Sequence, residues 1–343
     1  MPNSTRVSIA TRADAGAWEA YVDARGDAAG YHSWRWRQVF ADAFGHEPVY
    51  LLARQGGVIT GVLPMVQIKS LIFGNTLTSL PFVNYGGVMA DAPETAQALV
   101  DGAHEEARLR RCSHVEMRHV EAQFPNLPCK QHKVSMQLPL APNMWDGLDR
   151  KVRNQIRKAE KSGLVVERGG EALVGDFYAV FARNMRDLGT PVYSRRLFEE
   201  VLRVFPDRAQ LHVVRLNGAP IAAGLTYRTS SMVQLPWASS IRSYNALCAN
   251  VFLYWDAIQF AQESGARVFD MGRSTPNEGT FKFKAQWGAE PVPLHWEYQL
   301  LNHGELPNVS PANPKYQFAI ALWQKLPLSV TMRVGPMIVR AIP

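Results

Sequence analysis

The stretch QLHVVRLNGAPIAAGLTYRTSSMVQLPWASSIRSYNALCANVFLYWDAIQFAQESGARVFDM, from Gln210 to Met271, decides the fold. Gln210 to Leu216 and Ala219 to Arg228 are rich in β-branched and apolar residues, and they flank Asn217-Gly218, a pair that favours the tight turn of a hairpin. Met232 to Ser239 is a third strand, ending near the aromatic Trp237. Asn250 to Ser264 carries helical periodicity and stops at Gly265, a residue suited to the left-handed position after a helix. Arg267 to Met271 is the strand beyond. The order is strand, turn, strand, strand, helix, strand.

The same order occurs earlier in the chain. Pro48 to Arg54 is a strand, Gln55-Gly56-Gly57 a turn, and Val58 to Ile68 the return. A third strand reaches Pro81 within LTSLPFVNYGGVMAD and breaks at Gly86-Gly87. Pro93 to Arg111 is a helix with proline at its start and arginine at its end, as the helix dipole prefers. His114 to Val120 is the closing strand. Helices are also expected at Trp18 to Val22 and His32 to Phe44. Residue identity between the halves is slight, so the duplication lives in the order and length of elements.

Between the halves lies LDRKVRNQIRKAEKSGLVVE. Asp149 is the expected N-cap of a helix from Arg150 to Ser162, stopped by Gly163. Positions 150, 153, 157 and 161 share one face, so Arg150, Arg153, Arg157 and Lys161 form a basic stripe. Like charges on one face oppose each other, and a bound anion would relieve them. A solvated linker helix accounts for the pattern equally well.

Downstream, VFDMGRSTPNEGTFKFKAQWGAEPVPLHWEY runs from Val268 to Tyr298. Core strands do not normally alternate lysine with phenylalanine and then break at Trp287-Gly288. Read as a site, Phe281-Lys282-Phe283-Lys284 places amines beside aromatic rings, where they stabilise oxyanions or phosphates. Read as structure, it is an exposed edge strand with its lysines outside.

The chain has 343 residues and a formal charge of +7, from 37 basic and 30 acidic side chains, which favours an anionic ligand without requiring nucleic acid. Its length fits two cores better than one. The three cysteines, Cys112, Cys129 and Cys248, have no metal-ligand spacing, so free thiols in a cytoplasmic compartment and no metal are expected. MPNSTRVSIATRADAGAW lacks the pattern of a secretory signal, and no apolar run reaches bilayer length.

RKVRNQIRKAEKSGLVVE, FARNMRDLGTPVYSRRLFEEVL, ANVFLYWDAIQFA and FDMGRSTPNEGTFKFKAQWGAEPVPLHWEY, in that order, resemble the FemAB-type acyltransferases. The resemblance is to the branch associated with PEP-CTERM/exosortase and exopolysaccharide systems. YHSWRWRQVFADAFGH and LPFVNYGGVMA in the first half are similar to that branch too, so the likeness spans Tyr31 to Tyr298. It implies an α+β fold of tandem GNAT-like domains, each a mixed, mostly antiparallel sheet flanked by helices. The expected divisions are 1–145, 146–303 opening with the basic helix, and an apolar and basic tail at 304–343.

The resemblance also implies transfer of an acyl group onto an amine. In the better understood members the donor is an aminoacyl-tRNA and the acceptor a peptidoglycan precursor bearing a nucleotide diphosphate. A Phe-Lys pair lies at their reaction centre, its lysine thought to stabilise developing charge. Phe283 and Lys284 match it, Phe281-Lys282 offers an alternative register, and Trp287-Gly288 matches an aromatic-glycine pair. Some tRNA-using members insert a coiled-coil arm in the second domain. Here only a short loop is expected between Arg157 and Asp176.

The residues supply further candidates. Asp270, at a strand end, either orients the amine or caps the following turn. Arg273 and Ser274 are donors for an anion or carbonyl. Asn84 and Tyr85, beside Gly86-Gly87, form either a second lining or a plain turn. Arg153 and Arg157 suit an acidic acceptor. Trp237 is a groove wall or core. Acetyl-CoA-dependent GNAT domains hold the pyrophosphate on a glycine-rich loop, and the equivalent Ile241 to Ala249 contains no glycine. The donor is therefore open among aminoacyl-tRNA, acyl carrier protein and acyl-CoA, and no permanently bound cofactor is expected. The tail from Tyr316 to Pro343 carries Phe318, Ile320, Leu322, Trp323 and Leu326 among Lys325, Arg333 and Arg340. It docks back on its own domain or rests on the inner membrane surface. A non-catalytic protein of the same fold, holding an anionic glycan or nucleotide-sugar, is the alternative to the enzyme. An RNA-binding module would use the same basic helix.

Overall fold

The computed structural model describes residues 4–25, 30–70, 73–301, 306 and 314–342. In chain order the first seven strands are β1 (Arg6–Ile9), β2 (Glu47–Gln55), β3 (Val58–Ser70), β4 (Gly74–Ser79), β5 (Met89–Ala90), β6 (His114–His119) and β7 (Cys129–Lys130). They are followed by β8 (Val134–Pro139), β9 (Val165–Gly169), β10 (Ala209–Leu216), β11 (Ala219–Arg228), β12 (Met232–Ser240), β13 (Val268–Ser274), β14 (Glu290–Pro293) and β15 (His295–Leu300). The helices are α1 (Ala15–Asp23), α2 (Trp36–Phe44), α3 (Pro93–Leu109), α4 (Met144–Gly147), α5 (Arg150–Lys161), α6 (Val174–Leu188), α7 (Arg195–Val204), α8 (Ala249–Glu263), α9 (Gly279–Ala285), α10 (Pro314–Trp323) and α11 (Leu328–Val339).

Two compact units divide the chain. The first comprises 1–132, 293–307 and 340–343, and the second 133–292 and 308–339. The first unit's sheet runs β1-β2-β3-β4-β6-β15-β7, with β5 on β3, and the second's runs β14-β8-β13-β12-β11-β10-β9. Each contains a parallel pair, β4 with β6 and β12 with β13, flanked by antiparallel strands. A helix connects the two parallel strands in both, α3 in one and α8 in the other. This is the duplication expected from the order of elements, and the fold is tandem GNAT.

Two strands lie outside the domain that the division at residue 145 assigns them. β8 pairs antiparallel with β13 in the second unit's sheet, and β15 pairs antiparallel with β6 in the first. Backbone groups of a strand need a ladder, and β15 and β8 supply it on the sides of β6 and β13 that face away from their parallel partners. The expected domain end at residue 303 lies outside the described residues.

Local corrections have local causes. The helix expected from His32 starts only at Trp36, because the His32 carbonyl accepts the Trp18 indole N–H at 2.7 Å and its Nε2 lies 2.8 Å from the Gly87 carbonyl oxygen. The loop expected between Arg157 and Asp176 holds β9, an edge strand paired with β10. Phe281 to Lys284 is neither strand nor edge: it lies in α9, with Lys282 exposed and Lys284 buried. α10 and α11 belong to the second unit, where Gly335 of α11 is packed so tightly on Val192 that a Cβ would lie 2.9 Å from its backbone nitrogen.

Each unit has its own core. In the first, Leu99, Val100, Ala103 and Ala107 of α3 cover Leu51, Met65, Leu77 and Met117 of the sheet. In the second, Val251, Tyr254 and Ile258 of α8 and Val152 and Ile156 of α5 join Met136, Leu235, Met271 and Trp287. Each of these buried aliphatic side chains contributes roughly 1.5–3 kcal/mol by leaving water.

Candidate active site

In the second sheet the parallel pairing of β12 with β13 covers only Met232 to Gln234 and Val268 to Asp270. Both strands continue, β12 to Ser240 and β13 to Ser274, so their carboxyl ends part. Each is broken at that level. Pro236 has no N–H for the ladder, and the register of β12 on β11 shifts between Tyr227 and Leu225. On β13 the register against β8 shifts between Asp270 and Arg273, around Gly272 at φ +80°. A Cβ at Gly272 would lie 3.0 Å from the Leu235 carbonyl oxygen and 3.8 Å from Lys284 Nζ, so only glycine fits.

Two of the candidates named from sequence, Asp270 and Lys284, hold this bulge. Asp270, fully buried, accepts the Ser135 hydroxyl at 2.6 Å and the Gly272 N–H at 2.8 Å on the same oxygen. That is the turn-capping role. Lys284 reaches back from α9 and donates to the carbonyls of Gly272 and Arg273, each at 2.9 Å. Its ammonium has three protons, so one N–H remains beyond these two bonds. Burial pulls the Lys284 pKa down to about 8, with Asp270 opposing the fall and Arg273 adding to it. Of the two registers, Phe283-Lys284 is the one whose lysine enters the divergence, since Lys282 points to solvent. Phe283 packs edge-on to Tyr254 with centroids 5.0 Å apart, and at 6.4 Å from Trp287.

Several buried polar atoms here have no hydrogen-bond partner among the described residues. They are both amide atoms of Gln234, the Ser274 hydroxyl and the Trp287 indole nitrogen. An unpaired buried polar group costs about 1–3 kcal/mol, so Gln234 on β12 and Ser274 on β13 are places where a polar guest would be stabilising. Gln234 sits opposite Asp270 across the parallel pair. Sequence reasoning missed it, and its only signal is a lone glutamine inside the apolar run MVQLPW. Ser135 and Lys133 were missed too. Lys133 Nζ donates to Thr275 Oγ1 at 2.7 Å, and burial, then Arg273, lowers its pKa.

Trp237 is core, edge-on to Phe198 at 5.4 Å and nearly buried. Asn84 and Tyr85 belong to the first unit and are buried in it. Tyr85 meets Tyr31 edge-on at 5.5 Å, and Asn84 Nδ2 has no partner among the described residues. The glycines beside them serve that unit's own core. A Cβ on Gly87 would lie 2.1 Å from the His119 ring, whose Nε2 accepts the Val88 N–H at 2.9 Å. His119 Nδ1 is 2.6 Å from Glu297. Burial pushes the Glu297 carboxyl up, but His119 and the N–H groups of Phe124 and Gln123 outweigh it and hold the pKa below the usual range.

The basic helix α5 begins as expected, with the Asp149 carboxylate accepting the Lys151 N–H at 2.6 Å. Val152, Ile156 and Ala159 are buried, leaving the cations on the outer faces. Arg157 lies over the Trp145 ring at 5.3 Å. Arg150, Lys151, Arg153, Lys158 and Lys161 form no ion pair among the described residues. Asp149, Arg150, Lys151, Asn154, Gln155 and Lys158 line a surface concavity of about 510 Å³, in which the shielded Gln155 Oε1 has no partner among the described residues.

The connection from β12 to α8 contains no glycine. It is a 3-10 helix from Arg242 to Leu247 that turns through Cys248 at φ +61°. The N–H groups of Tyr244 and Cys248 donate to the carbonyls of Ile241 and Asn245, both at 3.0 Å.

The fold is that of tandem GNAT domains. Residues 148–285 match the family model of an acetyltransferase (GNAT) domain. Across the chain the fold is similar to that of FemX, at 14% identity and TM-score 0.66, covering 92% of this chain and all of that one. A tandem GNAT protein from the clavulanic acid biosynthesis pathway is similar at 12% identity and TM-score 0.58, over 89% of this chain and all of its own. So is the C-terminal domain of a putative lysylphosphatidylglycerol synthetase from Agrobacterium fabrum, at 12% identity and TM-score 0.58, over 85% of this chain and 92% of that one. No functionally curated protein matches the sequence.

Proposed function

We propose that this chain is an N-acyltransferase that moves an acyl or aminoacyl group onto an amine of an anionic cell-envelope or exopolysaccharide precursor. The observation that carries the reading is the parting of β12 and β13 within a GNAT-matching segment, with the Lys284 amine bonded to β13 and an unpartnered polar side chain on each strand, Gln234 and Ser274. Ligands of open sheets with parallel strands bind where the carboxyl ends of those strands separate. The acceptor amine attacks the acyl carbonyl, the bond from that carbon to the donor's oxygen or sulfur breaks, and the amine's proton passes to the leaving atom. The remaining N–H of Lys284 faces the oxyanion of the tetrahedral intermediate, a contribution of about 3–4 kcal/mol for one well-placed donor. Gln234, Ser274 and the Trp287 indole hold the acyl and amine groups. Arg153 and Arg157 grip the precursor's phosphates or carboxylates. The absence of glycine from the connection after β12 favours a donor other than coenzyme A, an aminoacyl-tRNA or an acyl carrier protein thioester.

The test is a turnover assay by mass spectrometry, pairing acyl-CoA, aminoacyl-tRNA or acyl carrier protein thioesters with amine-bearing nucleotide-sugars and lipid-linked glycans. Product with one pair, reduced about a hundredfold or more in Lys284→Met with acceptor binding intact, supports the proposal. Tight binding of an anionic glycan with no product from any donor identifies a binding protein instead.

A further inference from the structure

We infer that α10 and α11 form a surface that docks on an anionic lipid membrane. Large apolar side chains stand in solvent along both helices: Phe318 (81% exposed) and Leu322 (54%) on α10, and Val330, Val334 and Met337 (69%) on α11. Phe318 and Leu322 are four residues apart, and 330, 334 and 337 follow the four- and three-residue spacing of one helical face. The opposite demand is met elsewhere on α11, where Thr331, Gly335 and Val339 are buried. Two faces are therefore apolar, and only one has a partner among the described residues.

The charge of the region says what fits the other. From residue 306 to residue 343 the sequence has no aspartate or glutamate and four cations, Lys315, Lys325, Arg333 and Arg340. Arg333 lies between Val330 and Val334 on the exposed face, and Lys325 follows Leu322 by three residues. Neither makes an ion pair among the described residues. The acid beside this region, Asp187, whose carbonyl accepts the Gln324 amide at 3.2 Å, is itself paired with Arg186 at 2.6 Å. Apolar side chains flanked by unpaired cations suit an interface of acyl chains below phosphate headgroups. No helix among the described residues is long and apolar enough to cross a membrane, so the surface would lie on the bilayer. A second protein copy would meet the same unneutralised cations on its own surface, which opposes pairing through this face.

The full chain is tested by co-sedimentation with vesicles of phosphatidylglycerol mixed with phosphatidylcholine, and with vesicles of phosphatidylcholine alone. Preferential binding to the anionic vesicles, weakened by salt, is expected. Lys325→Gln with Arg333→Gln should lower the partition coefficient by roughly fivefold per cation. Phe318→Ser with Met337→Ser should lower it about tenfold or more. All four side chains are exposed, so these variants should melt with the wild type. Equal binding to both vesicles, or binding untouched by either pair of substitutions, overturns the inference. A dimer in light scattering that Met337→Ser dissociates overturns it too, because a second copy then covers the face.

Discussion

Replacing Lys284 by methionine tests whether a charged amine is held away from water at the strand divergence. The side chain is nearly buried and bonded to two backbone carbonyls, and its pKa falls from 10.5 in the unfolded chain to about 8 in the fold. Between these values the unfolded chain carries one more proton than the folded one, so stability rises with pH through this window. Below about pH 8 the folded state bears the whole cost of the buried charge. The gap from 10.5 to about 8, at about 1.4 kcal/mol per pH unit, is on the order of 3 kcal/mol. Methionine removes the titration along with the two hydrogen bonds. The wild type should therefore gain on Lys284→Met by about 3 kcal/mol as pH rises from about 7 to about 10.5. Guanidinium unfolding of both proteins across that range, followed by circular dichroism, measures the difference and cancels groups they share. A difference constant to within about 0.5 kcal/mol refutes the reasoning, since it would mean that the amine keeps its ordinary affinity for protons in the fold.

Other consequences follow from single positions. Gly272→Ala should cost about 2 kcal/mol or more, from φ +80° and a 3.0 Å approach to the Leu235 carbonyl, and should lower the melting temperature by several degrees. Gly87→Ala, whose Cβ would meet the His119 ring, should cost about 3 kcal/mol or more, whereas Gly16→Ala, in open space on α1, should stabilise by about 0.5–1 kcal/mol in the same melts. Arg153→Gln with Arg157→Gln should leave the melting temperature within a degree or so and weaken binding of an anionic precursor. Each lost phosphate contact should also flatten the dependence of log affinity on log salt, which titrations at several salt concentrations will read.

The paired orders of strand, helix and strand were legible because alternating apolar residues, Asn217-Gly218 and the capping residues act within a few positions of one another. Asp149 as a cap and Arg150 to Lys161 as a basic helix were legible for the same reason. The identity of α9 was not. Alternation of Phe and Lys over four residues serves a strand and a helix equally, and Lys284 becomes buried only through Gly272 and Arg273, twelve and eleven positions upstream in the chain. Asp270 was recognised with two roles, and its capping bonds to Gly272 and to Ser135, on a strand 135 residues away, select one. Gln234 was invisible as a site residue, since nothing in MVQLPW shows that its amide lacks a partner.

By itself, then, the sequence determined the duplicated order of elements and the basic helix, set by local periodicity, turn chemistry and charge, while its resemblance to a known family pointed to tandem GNAT domains and the Phe-Lys pair. Only the tertiary structure decided which strands cross between units, which lysine enters the divergence, and which face of the C-terminal helices stays in solvent. Strand exchange depends on ladders formed between residues more than a hundred positions apart, such as β8 with β13 and β15 with β6. Burial of one lysine and exposure of Phe318 depend on what the rest of the chain places beside them, and that is a property of packing, which no short window of residues contains.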